Sequence, residues 1–100
     1  MDKKEFNFKI NQQRELIDDI DYQIYISLLN RYIHISKIAE IKKEYGTMEM
    51  SESRQVEIME KLKEWAIDDG MPVTLITEIY NKIFEFSILE QILIINDKRD

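Results

Sequence analysis

Cysteine is absent from this 100-residue chain, and histidine, proline and glycine are scarce, with one, one and two copies. Without cysteine there are no disulfide bonds, no thiol catalysis and no cysteine-ligated zinc, and a single histidine excludes a multi-histidine metal site within one chain. No apolar run approaches the roughly 20 residues of a membrane-spanning helix, and the opening MDKKEFNFKI lacks the apolar core of a signal peptide. We therefore expect a cytoplasmic protein.

Positive charge is also in short supply. The chain has 14 Lys and Arg residues against 20 Asp and Glu residues, which gives a formal net charge of -6. A broad electrostatic attraction to nucleic acid or to an anionic membrane is therefore excluded, and a basic residue with a function must act locally. Because 44% of the residues are hydrophobic, the chain can form one modest core. We predict a single domain over residues 1–100.

The first long segment contains no helix breaker. Between Asn11 and Tyr45 there is neither glycine nor proline, and no part of the chain alternates with the period of two that indicates a strand. Apolar residues recur instead at steps of three and four or their sums, which predicts one long amphipathic helix in an all-α protein. The predicted stripe consists of Ile17, Ile20, Ile24, Leu28, Ile35 and Ile38.

A second helix is predicted after the loop sequence GTMEMSES. Either Ser51 or Ser53 can cap its N-terminus, and Gly70 is suited to its C-terminal cap. Its inner face is predicted to consist of Val56, Met59, Leu62 and Ala66, with Ile58 and Trp65 beside them.

A third helix is predicted to follow Pro72, with Thr74 as its cap, and to continue towards Ile95. Its apolar face passes through Ile76, Ile79, Tyr80, Ile83 and Phe84. Ser87 and Gln91 continue this face as two uncharged hydrogen-bonding groups. Buried polar groups require partners, so these two side chains are candidates for a binding site.

The length of the first helix predicts how the chain assembles. A helix of about 35 residues spans roughly 50 Å, whereas a compact domain of this size has a radius of gyration near 13 Å. The helix must therefore extend beyond its own chain, and a second copy is the simplest cover for its apolar stripe. We predict an intertwined homodimer. A broken first helix that folds back into a four-helix monomer is the alternative.

Three cations lie on or beside the predicted apolar stripe, namely Arg14, Arg31 and Lys42. Cations are rare at such positions without an anionic partner. Arg31 and Lys42 lie about 16 Å apart along the helix, so their long side chains can converge on one small anion. Arg14 is roughly 25 Å from Arg31 and can join them only from the partner of an antiparallel dimer. Ordinary ion pairs with the chain's own carboxylates are the alternative.

Three segments of the chain resemble the all-helical AroQ-class chorismate mutase family. They are RELIDDIDYQIYISLLNRYIHISKIAEIK, SRQVEIMEKL and ITEIYNKIFEFSILEQ. The resemblance covers roughly residues 13–91 and rests on the spacing of four separate landmarks. It implies an all-α chorismate mutase type II fold with three helices per chain, assembled as an intertwined homodimer with shared active sites. It also implies the Claisen rearrangement of chorismate, a small dicarboxylate, to prephenate without a cofactor, a metal or a covalent intermediate.

The resemblance also assigns roles to individual residues. Arg31 would hold a substrate carboxylate, Lys42 would bridge a carboxylate and the ether oxygen, and Gln91 would donate a hydrogen bond to the ether oxygen. These three would be the catalytic residues. Further substrate contacts are implied for Arg14 of the partner subunit, Ser51, Arg54, Gln55 and Ser87.

Two positions depart from the family pattern and leave the identity of the substrate open. Gln55 stands where the family has a glutamate that accepts a hydrogen bond from the substrate hydroxyl, and Ser51 stands where many members have an aspartate. An isochorismate-pyruvate lyase that forms salicylate, a mutase of 4-amino-4-deoxychorismate and a non-catalytic helical dimerisation module are therefore alternatives. The sequence Glu90-Gln91-Ile92 resembles the lyases, whereas Ser87 favours a mutase.

Overall fold

The computed structural model describes residues 2–97, and this range folds into three α-helices without a strand. Helix α1 is Lys3–Tyr45, with 43 residues. Helix α2 is Glu52–Asp69, with 18 residues, and helix α3 is Val73–Asn96, with 24 residues. The prediction of an all-α chain with a very long first helix is confirmed.

Helix α1 begins at Lys3, eight residues before the predicted start at Asn11. The carboxylate of Asp2 accepts a hydrogen bond from the backbone N–H of Glu5 at 2.7 Å, which satisfies one of the N–H groups that a helix leaves unpaired at its start. Glu5 also forms an ion pair with Lys9 one turn later, at 3.2 Å. Because these contacts are local, the helix extends beyond the apolar stripe from which its start was predicted.

Helix α1 ends where Gly46 adopts a left-handed backbone conformation, with φ of 73°. The N–H of Gly46 donates to the carbonyl of Lys43 at 3.2 Å, and the N–H of Thr47 donates to the carbonyl of Lys42 at 3.0 Å. These bonds satisfy carbonyl groups in the last turn. Lys42 and Lys43 are also the basic residues of that turn, where the helix dipole favours positive charge.

Helix α2 has a cap at each end. Ser51 is the N-cap, and its hydroxyl accepts a hydrogen bond from the N–H of Arg54 at 3.2 Å. Gly70 is the C-cap with φ of 69°, and the N–H of Met71 donates to the carbonyl of Ala66 at 2.8 Å. Both predicted caps are confirmed, and the structure selects Ser51 over Ser53.

Helix α3 begins at Val73, and its N-cap is Pro72, which makes no side-chain cap bond. The prediction that Thr74 caps this helix is wrong, because Thr74 lies inside the first turn. The proline ring holds φ at -59° and thereby directs the chain into the helix without a side-chain acceptor. The carbonyl of Thr74 instead accepts a hydrogen bond from the hydroxyl of Thr77 at 3.1 Å.

Helices α2 and α3 pack against each other as a helical hairpin. Ala66 of α2 and Phe84 of α3 are buried, and the Phe84 ring meets that of Tyr80 edge to face, with 5.8 Å between the ring centroids. The predicted inner face of α2 is only partly correct. Met59 and Leu62 are half-buried, but Val56 is 57% exposed.

The chain divides into two compact units whose boundary lies between Ile33 and His34. The first unit, called here the α1 arm, is the part of α1 up to Ile33. The second unit, called here the hairpin unit, contains the end of α1 together with α2 and α3. No helix within residues 2–97 is long and apolar enough to cross a membrane.

Candidate functional site

The ammonium group of Lys42 is held between a loop and α3. Its Nζ donates a hydrogen bond to Oε1 of Gln91 at 2.7 Å and lies 3.6 Å from the sulfur of Met50. Both partners are uncharged, and within residues 2–97 no carboxylate forms an ion pair with Lys42. The half-buried ammonium therefore keeps a positive charge that the described part of the chain does not neutralise.

Gln91 is the buried polar side chain of the described chain, with 7% exposure. Its Nε2 donates to the backbone carbonyl of Ser87 at 3.3 Å, while its Oε1 accepts from Lys42. Because an ammonium can only donate, the amide oxygen must face Lys42, and this fixes the orientation of the amide. A buried amide without a partner would cost about 1–3 kcal/mol, so Lys42 and Gln91 stabilise each other's placement.

Ser87 supports Gln91 through its backbone rather than through its hydroxyl. The hydroxyl donates to the carbonyl of Ile83, one turn earlier in α3, at 2.7 Å. Ser87 is half-buried, and a hydroxyl that donates one hydrogen bond can still accept others. The prediction that Ser87 and Gln91 share one face of α3 agrees with these contacts.

The first turn of α2 carries the other three polar candidates of the hairpin unit. The hydroxyl of Ser51 caps the helix. The guanidinium of Arg54 pairs with the carboxylate of Glu57 at 3.2 Å, and its side chain is 61% exposed. Gln55 is half-buried, and its backbone N–H donates to the carbonyl of Ser51 at 3.4 Å. Ser51 and Arg54 thus have local structural partners in this chain.

The structure perturbs the ionisation of Glu57. The hydrogen bond from Lys61 at 3.3 Å, followed by the positive charges of Lys61 and Arg54, lowers the pKa of this carboxyl below its ordinary value of 4.5. The carboxylate is exposed to solvent, so this cluster belongs to the outer surface of α2.

Arg14 and Arg31 lie on the α1 arm, within the helix in which they were predicted. Arg14 is exposed and Arg31 is half-buried. The convergence of these two cations with Lys42 stays a prediction. Among the described residues, no group of three or more His, Cys, Asp and Glu side chains could hold a metal ion.

Met50 is a residue of the site that the sequence did not reveal. It lies between α1 and α2, where the chain has no periodic pattern, and eight residues separate it from Lys42. Methionine is usually a packing residue. Only the fold of the loop brings its sulfur to the ammonium group.

A positive charge with neutral partners beside a buried amide can bind a carboxylate or stabilise an oxygen on which negative charge develops. The sequence of residues 13–92 matches the model of the chorismate mutase type II family. No curated protein and no solved structure gives a significant match. The family match covers four fifths of the 100-residue chain and includes both Lys42 and Gln91. The protein therefore belongs to the chorismate mutase type II family.

Proposed function

We propose that this protein is a chorismate mutase, which converts chorismate to prephenate by a Claisen rearrangement. The observation that supports this function best is the hydrogen bond between Lys42 and Gln91 at 2.7 Å. It places an ammonium and a buried amide, the two groups suited to a developing oxyanion, side by side in a chain of this family. The proposal includes that this enzyme acts in the cytoplasm and in the biosynthesis of aromatic amino acids.

The reaction breaks the ether bond and forms a carbon–carbon bond within one molecule, so no atom is gained or lost. Negative charge grows on the ether oxygen as the bond breaks, and Lys42 stabilises that charge. Its own partners are neutral, so the charge on the ammonium is available for this purpose. No proton has to move, and catalysis consists of holding the reactive conformer and stabilising its charge.

Gln91 supports Lys42 directly and can also donate to the ether oxygen. Its Nε2 donates to the carbonyl of Ser87 at the rather long distance of 3.3 Å. Because Nε2 carries two N–H groups, the second can donate to the substrate while the amide keeps its orientation towards Lys42. The Ser87 hydroxyl, which donates to the carbonyl of Ile83, lies on the same helical face and can contact the substrate.

The substrate carboxylates require cations in addition to Lys42. We assign this role to Arg31 and to Arg14 of the partner subunit. An intertwined homodimer would bring that Arg14 close to Lys42. The exposed apolar side chains of the α1 arm support such a dimer. Ile17, Ile20, Ile24 and Leu28 are 43–52% exposed in the single chain, and burying the remaining half of each would stabilise the assembly by about 0.8–1.5 kcal/mol.

Three residues at the start of α2 would contact the ring of the substrate. Gln55 can accept a hydrogen bond from the ring hydroxyl through its amide oxygen, and the Ser51 hydroxyl can do so beside its capping bond. Arg54 can join them by leaving its solvent-exposed ion pair with Glu57, because such exposed pairs contribute little, about 0–1 kcal/mol.

The test is to incubate the purified protein separately with chorismate, isochorismate and 4-amino-4-deoxychorismate. We expect the ultraviolet absorbance of chorismate to decrease and prephenate to form, and we expect the Lys42→Ala variant to lose this activity. Fluorescent salicylate from isochorismate would instead identify a lyase, and turnover of the amino analogue alone would identify a mutase of that compound. A folded dimer that is inactive on all three would be a dimerisation module.

A further inference from the structure

The placement of Met50 is determined by helix caps on both sides of its loop. On the N-terminal side, Thr47 closes α1 through its backbone N–H, and its hydroxyl accepts a hydrogen bond from the N–H of Glu49 at 3.1 Å. On the C-terminal side, the next residue is Ser51, the N-cap of α2. Met50, which is half-buried, is therefore held near Lys42 by cap hydrogen bonds that do not involve its own side chain.

The chemistry of the thioether suits this position. A sulfur of this kind is a weak, polarisable and uncharged acceptor. It can orient the ammonium of Lys42 at 3.6 Å without neutralising it, and it gives up the contact easily when an anion arrives. A carboxylate at the same place would neutralise the ammonium and compete with an anionic ligand, whereas a hydrocarbon would offer no acceptor.

We propose that Met50 is a positioning residue for the reaction. Its sulfur orients the Lys42 ammonium from the loop side, while Gln91 holds it from α3, and the positive charge stays available for the substrate. This inference rests on the proposed mutase function, but the contact between Met50 and Lys42 can be tested without it.

Two substitutions at Met50 distinguish the effect of orienting the Lys42 ammonium from the effect of neutralising its charge. The Met50→Leu variant keeps the volume and removes the acceptor, so we expect kcat to fall about two- to tenfold, the range of one ordinary hydrogen bond, with a smaller change in KM. The Met50→Glu variant places a carboxylate beside Lys42. We expect KM to rise about 10- to 100-fold, the range of a hydrogen bond to a charged group.

Met48 provides matched controls because it lies in the same loop and is 47% exposed. The Met48→Leu and Met48→Glu variants change the loop in the same way, two residues away from the contact. We expect their kcat and KM to stay within a factor of two of the wild-type values. Thermal unfolding of all four variants will show whether a loss of stability accounts for any change in rate.

Nuclear magnetic resonance tests the contact itself. With labelled lysine and methionine, we expect a nuclear Overhauser effect between the ε-methyl group of Met50 and the ε-methylene group of Lys42. We also expect the Lys42 resonances to shift in the Met50→Leu variant and to stay in place in Met48→Leu.

The outcomes separate the two proposals. If the wild-type protein converts no chorismate, the mutase function is wrong, and the Lys42 resonances alone decide whether Met50 orients the ammonium. If the protein is active, but Met50→Leu matches Met48→Leu in kcat and in the Lys42 resonances, the positioning role is wrong. Equal increases in KM for Met50→Glu and Met48→Glu would also overturn it, because the effect would then be one of general charge.

Discussion

The α1 arm and the hairpin unit have similar apolar periodicity, but within residues 2–97 the buried side chains all lie in the hairpin unit. Along the arm, the stripe residues Ile17, Ile20 and Ile24 are about half exposed, at 51–52%. In the hairpin unit, which contains α2 and α3 as well as the end of α1, Ala39 is completely buried. The periodicity of an amphipathic helix therefore predicts which face needs cover, but it does not say whether the same chain supplies that cover.

The two units also differ in how they use polar residues. The hairpin unit holds Lys42 and Gln91 in a short contact with complementary donors and acceptors. The arm carries Arg14 on an exposed helix. In the proposed dimer the two arrangements would be complementary, because the hairpin unit would provide Lys42 and Gln91 and the arm of the partner subunit would provide Arg14.

The largest expected effect concerns the polar contact of the hairpin unit. We expect Lys42→Ala to reduce kcat/KM for chorismate by more than about 1,000-fold, because loss of one preorganised donor costs roughly 100- to 1,000-fold and this change also removes a charge. Lys43→Ala is the control, since Lys43 lies in the same last turn of α1. Similar losses for both variants would mean that general charge, rather than the contact with Gln91, is responsible.

The next effect concerns the proposed dimer contact of the α1 arm. We expect Ile24→Asp to weaken dimer association by about 100-fold or more, because it removes about 0.8–1.5 kcal/mol of apolar burial at each of two symmetric positions and places a carboxylate in an apolar interface. Sedimentation at several protein concentrations measures this change. Tyr22→Asp is the control, because Tyr22 is 62% exposed on the opposite face of the helix. A wild-type monomer at every concentration would contradict the proposed assembly.

The stability of the hairpin unit should depend on Phe84 of α3 but not on the nearby Phe86. We expect Phe84→Ala to lower the free energy of unfolding by about 3–5 kcal/mol, because it removes a buried ring. Phe86→Ala should change it by less than about 0.5 kcal/mol, since this ring is 66% exposed. Urea unfolding measures both values. Equal values would show that Phe86 is also covered in solution.

A smaller effect is expected at the start of α2. Ser51→Ala should lower the free energy of unfolding by about 1 kcal/mol, because it removes an N-cap acceptor. Ser53→Ala is the matched control, since Ser53 contacts the Ser51 hydroxyl at 3.1 Å but does not cap the helix. A larger loss for Ser53→Ala would contradict the cap assignment. If Ser51 also binds substrate, Ser51→Ala will raise KM in addition.

The smallest effect is a pH dependence on the surface of α2. Because Lys61 and Arg54 lower the pKa of Glu57 below 4.5 in the folded chain, its ionised form stabilises the fold above that pH. The contribution is lost as the pH falls through the lowered pKa. We expect Glu57→Gln to reduce the melting temperature slightly at pH 7 and to have no effect at pH 2. A difference that persists at pH 2 would show that charge is not the cause.

The sequence by itself determined the class of the fold and the limits of most elements. Unbroken periodicity predicted α1, and Ser51 and Gly70 predicted the caps of α2, because capping is a local interaction between a side chain or a glycine and the nearest backbone groups. The start of α1 and the cap of α3 were missed for reasons that are also local. Asp2 caps a turn outside the apolar stripe, and Pro72 directs the chain into α3 without a side-chain acceptor.

Only the tertiary structure decided which side chains meet. Lys42 and Gln91 are 49 residues apart in the sequence. The family resemblance assigned both to the ether oxygen, but no periodic pattern relates the two, so their direct contact follows from the packing of separate elements. The same holds for Met50, whose sulfur reaches the ammonium because two helix caps fold the loop. Propensity and periodicity act over a few residues, whereas the contacts that hold a charge in place depend on the distances between segments that are distant in the chain.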